Sequence, residues 1–404
     1  MSIFRKFLIL LILLLFSIVL YKLLQRRKVI LRNIEETQKS REGYQVKPEP
    51  DVRRHLKTIM VDNTDPSLQL TLQKVSDVNT SLSLNQFCMK GSHNTAYIHN
   101  SISSEMVKYV LSRGCRVLDF EVYYLQDTTS GTPSPYEARV GYNADNTAVN
   151  STSKNTVPLR DILENTLQFA FTNQIWTAPD NASYTCPNIK DPLFIQLRMK
   201  TGASDKFALY DLIQKCINML YCDNNYRDFF GTSRTANAIG PQTQMIEIMG
   251  TVVFLFEFDD GMYATSNNFY NNLLSVDTSQ CTSNSNGLYL NSMVVNSGKL
   301  DILHYSDIDV KLNVADRPLI NDTNSANITK WMMVVPDRPL PSTLTNVDIY
   351  TSVGIYGYQI NMMQYGVNDI YLRNSEVMFN VIKGAIIPLA SAIRYIDNNV
   401  VKPA

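Results

Sequence analysis

Lys90-Gly91-Ser92-His93-Asn94-Thr95-Ala96-Tyr97 and, about twenty residues on, Gly114-Cys115-Arg116-Val117-Leu118-Asp119-Phe120-Glu121 hold the residues of this chain best suited to chemistry. An imidazole exchanges protons near neutral pH. An amide oxygen and two carboxylates are hard donors for a cation. Asp119 and Glu121 are two apart, so a strand points both to one face. One imidazole, one amide and two acids gathered at one end of a sheet are a layout for cleaving a phosphodiester, with one group to move a proton and oxygens to hold a metal that polarises the phosphate. No further histidine occurs between His99 and His304.

These residues need a sheet whose strand ends converge. Apolar strand-like runs at 84–90, 116–124, 137–142, 192–199, 251–258, 330–335 and 357–365 alternate with amphipathic stretches, which is the pattern of βα units around a parallel sheet. Leu159, Ile162, Leu163, Leu167 and Phe171 recur at helical spacing behind Asp161, and a second helix is predicted from Ser204 to Tyr221 with Phe207, Leu212, Ile213, Cys216, Ile217 and Leu220 on one side. Segments 125–136, 145–157, 176–190 and 263–286 are rich in Ser, Thr, Asn, Gly and Pro and are expected as surface loops. The expected fold is α/β, a distorted TIM-type (β/α) barrel with long loops, preceded by one N-terminal transmembrane helix.

That helix is expected at Phe7–Tyr21, a run of apolar residues and Ser17 that spans a bilayer if its flanking lysine snorkels. Lys22, Gln25, Arg26, Arg27 and Lys28 follow it in place of a small-residue cleavage site, favouring a retained anchor over a signal peptide. The heavier basic flank puts the body in the cytosol. Residues 1–32 are thus read as anchor, 33–80 as a charged stalk, 81–200 as one half of the barrel and 201–395 as linker and second half. With 37 basic and 37 acidic residues the net charge is +0, which gives no field to attract nucleic acid. Six cysteines show no CxxC pair, which speaks against a zinc site, and Cys88 and Cys115 are expected as buried free thiols. Sequons at Asn79, Asn150, Asn181, Asn321 and Asn327 point instead to a lumenal body.

GSHNTAY, GCRVLDFEV, the helix PLRDILENTLQFAF and the strand DPLFIQLRMK together resemble the X half of the phosphoinositide-specific phospholipase C family, and Gly357 to Tyr365 with the Phe379 segment resembles the end of its Y half. The resemblance runs over about 82–200 and again over about 335–390. It implies a barrel acting on a membrane phosphoinositide. His93 would stabilise the phosphoryl group as the inositol 2-hydroxyl attacks, Asn94 and Asp119 would bind calcium, and Glu121 would serve as ligand or base.

Two departures weaken that inheritance. The family's second histidine, its general acid, falls on Val140, with Tyr142 the nearest donor; its third calcium carboxylate falls on Arg198, which shares a strand face with Phe194 and Gln196. A guanidinium beside Asp119 and Glu121 would replace calcium with a salt bridge. The stretch Gly250–Glu257 carries no lysine for inositol phosphates, while Arg338 matches the family's substrate arginine, so a bound headgroup should carry few phosphates and be held by Arg198, Arg338 and His93. Two functions remain open: a weak calcium-type phosphodiesterase, or a lipid- or protein-binding barrel that has lost turnover.

Overall fold

The computed structural model describes residues 50–62, 72–126, 134–145, 149–202, 204–233, 238–258, 289–308, 331–337 and 345–399. The expected anchor at Phe7–Tyr21 lies outside them, and among the described residues no helix is long and apolar enough to cross a membrane.

Helix α1 (Pro50–Asp62) comes first, then strand β1 (Phe87–Ser92), helix α2 (Ser104–Ser112), strands β2 (Val117–Gln126) and β3 (Tyr136–Gly141), and helix α3 (Leu159–Phe171). Strand β4 (Leu193–Lys200), helix α4 (Lys206–Cys222), and strands β5 (Val252–Phe258), β6 (Ser292–Val294) and β7 (Leu300–His304) follow. The chain continues through β8 (Trp331–Val335), β9 (Ile360–Met363), helix α5 (Ile370–Ile382), strand β10 (Ile386–Pro388) and helix α6 (Leu389–Asn399). Eight parallel strands run β6-β5-β4-β2-β1-β9-β8-β7, a nearly closed barrel of TIM type.

Among the described residues no ladder joins β6 to β7. A parallel pair needs a crossover of a dozen or more residues. The chain between these strands is too short to supply one, so the barrel stays split there. Asn296, at φ 58°, fills the turn: its N–H donates to Leu300 O at 2.7 Å and its Oδ1 accepts from Ile302 N at 2.9 Å.

Strand alternation sorts the core. Phe87, Met89, Val117, Phe194, Val253, Leu255, Met333, Ile360 and Met362 fill the barrel, while Leu118, Phe120, Val122, Ile195, Leu197, Phe254 and Phe256 face outward among the helices. Gly91 belongs to the inner set because β9 passes close by: a Cβ there would meet Met362 Sδ at 2.5 Å. Its role in GSHNT is clearance. The helical stripe of α3 is buried at Leu159, Ile162, Leu163, Leu167 and Phe171. On α4 the buried stripe is Leu209, Ile213, Cys216, Ile217 and Leu220, and Phe207, expected on that side, is 42% exposed because it falls outside the stripe's spacing.

Three sequence expectations change. The run at 137–142 is a strand but not a stave: β3 pairs antiparallel with β2, Val140 opposite Val122. Strands β6 and β7 join the barrel unannounced by any apolar run. Part of the expected stalk is also folded into the body, since α1 buries Val52, Leu56 and Met60, spaced four apart, in the outer core. Cys88 and Cys115 are buried free thiols, as are Cys186 and Cys216, whereas Cys222 is disulfide-bonded.

Candidate functional site

The lower interior of the barrel is apolar and its upper interior, at the strand C-termini, is polar. Register explains why. Val117, Asp119, Glu121 and Tyr123 climb the inner face of β2, and across the parallel ladder Asp119 lies opposite Gln196, Glu121 opposite Arg198 and Tyr123 opposite Lys200. On the far side of β4, Glu257 of β5 pairs with Arg198. One layer of the barrel therefore reads Glu121–Arg198–Glu257, acid, base, acid.

Arg198 is fully buried and its fork is committed. Nε donates to Asp119 Oδ1 at 2.7 Å, Nη2 to Asp119 Oδ2 at 2.8 Å and Nη1 to Glu121 Oε1 at 2.9 Å, while Nη2 also bonds Asn94 Oδ1. Glu121 Oε2 accepts from Tyr123 Oη at 2.7 Å and from Asn143 N at 3.0 Å. Burial alone would raise the pKa of Asp119, but Arg198 and then His93 outweigh it and hold the carboxyl well below its ordinary range. Burial likewise opposes the charge on Arg198, and Asp119 and Glu121 reverse that, pushing its pKa up.

The loop after β1 is shaped around Asp119. His93 Nδ1 lies 2.8 Å from Asp119 Oδ2, and Asn94, at φ 46°, donates its N–H to the same oxygen at 2.9 Å. Thr95 clips the two strands together: its N–H donates to Asp119 O at 2.9 Å and its Oγ1 accepts from Asp119 N at 3.0 Å. Every residue from His93 to Thr95 thus bonds or pairs with Asp119. The side chains of His93, Asn94, Asp119, Glu121 and Arg198 converge. Arg338 lies outside the described residues. His304 contacts Pro336 O at 3.1 Å, and it is not among the residues lining the cavity beside His93.

That cavity, about 310 Å³, is bounded by His93, Asn94, Tyr97, Tyr142, Gln364 and helix α1 among others. Tyr97 and Tyr142 stack at 3.8 Å. Burial, then Tyr97 and Glu121, push the Tyr142 phenol up, so it stays protonated through the physiological range. Val140 is buried in the outer core with Val122, away from the inner face that carries Asp119 and Arg198. Sequence reasoning passed over Tyr123, Lys200, Glu257 and the α1 residues at the cavity. Strand alternation points to the first two, while Glu257 depends on knowing that β5 lies beside β4.

Calcium fails the test of fit. Asn94 Oδ1, both oxygens of Asp119 and one of Glu121 already bind a guanidinium that cannot give up its charge. Among the described residues no group of three or more His, Cys, Asp or Glu is arranged to hold a metal ion.

No protein-family model matches the chain, and no curated protein does. Among solved structures it is similar to PLC21 of L. pealei, at 12% identity and TM-score 0.45 over 78% of this chain and 37% of that one. It is equally similar to PLC21 of S. officinalis, at 11% identity and TM-score 0.45, again over 78% and 37%. A calcium-dependent phosphoinositol-specific phospholipase C from the Gram-negative bacterium Pseudomonas sp. matches at 9% identity and TM-score 0.44, over 78% of this chain and 98% of that one. The chain spans little more than a third of the two PLC21 chains.

Proposed function

We propose that this protein is a phospholipase C-like barrel that holds the phosphorylated headgroup of an inositol phospholipid without calcium and turns it over slowly at most. The observation behind this is the single guanidinium of Arg198 shared by Asp119, Glu121 and Asn94. Arg198 lies between Glu121 and Glu257 and also binds Asp119, so its one positive charge is already shared among acids before any ligand arrives. Asp119 orients His93 through Nδ1, so a phosphate oxygen in the cavity would be met through Nε2. Internal attack by a ring hydroxyl, releasing diacylglycerol, would also need an acid at the leaving oxygen. Tyr142 is a weak one, and absence of a matched acid costs about 10²–10⁴-fold.

Vesicles of phosphatidylcholine with phosphatidylinositol test this by sedimentation and by release of water-soluble inositol phosphate. Binding should be the same in calcium and in chelator, fall several-fold in His93→Ala, and bring no release above background. Calcium-dependent release that disappears in His93→Ala would overturn the reading.

Tethering by Phe7–Tyr21 would concentrate the barrel at its lipid without new contacts. Flanking charge favours a cytosolic body, but the disulfide at Cys222 and the exposed sequon residues Asn150 and Asn181 favour an oxidising compartment. We take the second side, because the bonded Cys222 and the exposed sequons agree on it whereas flanking charge only biases insertion. Expression in a secretory eukaryotic cell should give a chain whose gel mobility rises on glycosidase treatment. An unchanged mobility with a reduced Cys222 would place the body in the cytosol.

A further inference from the structure

At the lip of the His93 cavity two more imidazoles lie face to face. His55, half-buried on α1, and His99, exposed in the loop after β1, stack with ring centroids 3.6 Å apart and planes inclined by 28°. Both line the cavity. His99 sits at φ 43° and Asn100 at φ 64°, so two consecutive non-glycine residues hold the left-handed conformation that carries His99 into the stack. The turn is tied from the other side, where Lys154 N donates to Asn100 O at 2.7 Å.

The charge around this pair is one-sided. His55 is influenced by His99, Arg54 and Lys154, all cationic or able to become so, and by a single acid, Asp51. Asp51 is already bound by Arg54 at 2.8 Å. Burial, followed by His99 and Arg54, keeps the His55 imidazole below its ordinary pKa. Two rings in contact cannot both be protonated at low cost unless an anion bridges them. Among the described residues no acceptor bridges the two stacked rings.

We infer that the His55–His99 lip is an anion subsite for a phosphate monoester, with Arg54 and Lys154 as flanking charges. A monoester suits it better than a carboxylate, having three acceptor oxygens to bridge two ring N–H groups and a charge of about −1.5 to −2 at pH 7. The ligand would be a ring phosphate on a headgroup seated at His93 or a soluble phosphate compound. The first source rests on the function proposed above. Binding charges both rings, so it strengthens as pH falls toward the ordinary imidazole pKa of about 6.5 and weakens above it.

The chain has 4 histidines, which makes ring-carbon-labelled histidine NMR on the full protein readable, with assignments from single His→Gln variants. Inorganic phosphate should raise the titration midpoints of His55 and His99 by about one pH unit. His55→Gln and His99→Gln should each weaken phosphate binding about tenfold, the effect of losing one charge-assisted donor. Both variants should also erase any preference for phosphatidylinositol 4-phosphate vesicles over phosphatidylinositol vesicles. A vesicle preference in the unmodified protein identifies the lipid as source, and phosphate binding without it identifies a soluble ligand. An equal response to sodium chloride at matched ionic strength, or unchanged phosphate affinity in both variants, overturns the subsite. Loss of phosphatidylinositol binding with the phosphate response intact would sink the headgroup reading and leave this subsite standing.

Discussion

Replacing Arg198 with methionine should cost about 3–5 kcal/mol of stability, the usual result of stripping one partner from a buried ion cluster. Asp119 and Glu121 are 0% and 2% exposed and would both lose the guanidinium they share, leaving His93 beside Asp119. Arg198→Glu should behave differently. It leaves the apo protein at least as unstable but gathers three carboxylates around the Asn94 amide, the hard-oxygen set that calcium takes. Calcium should then restore stability, by about 3 kcal/mol at a hundredfold excess over Kd. The unmodified protein should melt at the same temperature in calcium and in chelator. Differential scanning calorimetry of the three proteins decides the matter. A calcium-dependent rise in the Tm of the unmodified chain, or an Arg198→Met protein as stable as its parent, would show that the guanidinium does not fill the metal's place.

That pairing was legible because the resemblance puts Arg198 where the family keeps a calcium carboxylate beside Asp119 and Glu121, and strand alternation adds only which residues share a face. Residues two apart on a strand share a face, so 119 goes with 121 and 194 with 196 and 198, while the resemblance supplies that the two rows are neighbours. The same counting reaches Tyr123 and Lys200, both on inner faces. Glu257 is a different matter: its register with Arg198 depends on which strand packs beside β4, a choice made by the whole barrel. Helix α1 was hidden because its core contacts rest on three residues in a segment dominated by charge. Strand β6, Ser292–Val294, is too brief to show a period at all. His55 reaches the cavity only because α1 docks there, so no reading of the chain near His93 could have found it.

Glu376→Gln should lower stability at neutral pH by about 3 kcal/mol and flatten the acid limb of the unfolding curve. Glu376 of α5 is buried beneath the helices outside β1, where Oε1 meets Lys90 Nζ at 2.6 Å and Tyr365 Oη at 2.7 Å, and Oε2 meets Arg113 Nε at 3.0 Å. Burial would raise its pKa, but Arg113 and then Lys90 bring it down from 4.5 to about 2. A depressed carboxyl stabilises the fold fully above its unfolded pKa, and that contribution is lost as pH falls from about 4.5 toward 2. A shift of that size corresponds to about 3 kcal/mol. The amide cannot titrate, so the two proteins should differ most at pH 7 and converge through that window, as followed by circular dichroism in urea at stepped pH. Tyr365 stays a neutral donor throughout, because burial, Cys115 and Glu376 push its pKa well up. A constant gap between the two proteins from pH 7 to 3 would mean that Glu376 acts by packing alone. The expected convergence would instead assign the ion cluster of Glu376 with Arg113 and Lys90, the last being the first residue of the segment that reads as catalytic, to holding α5 against the barrel.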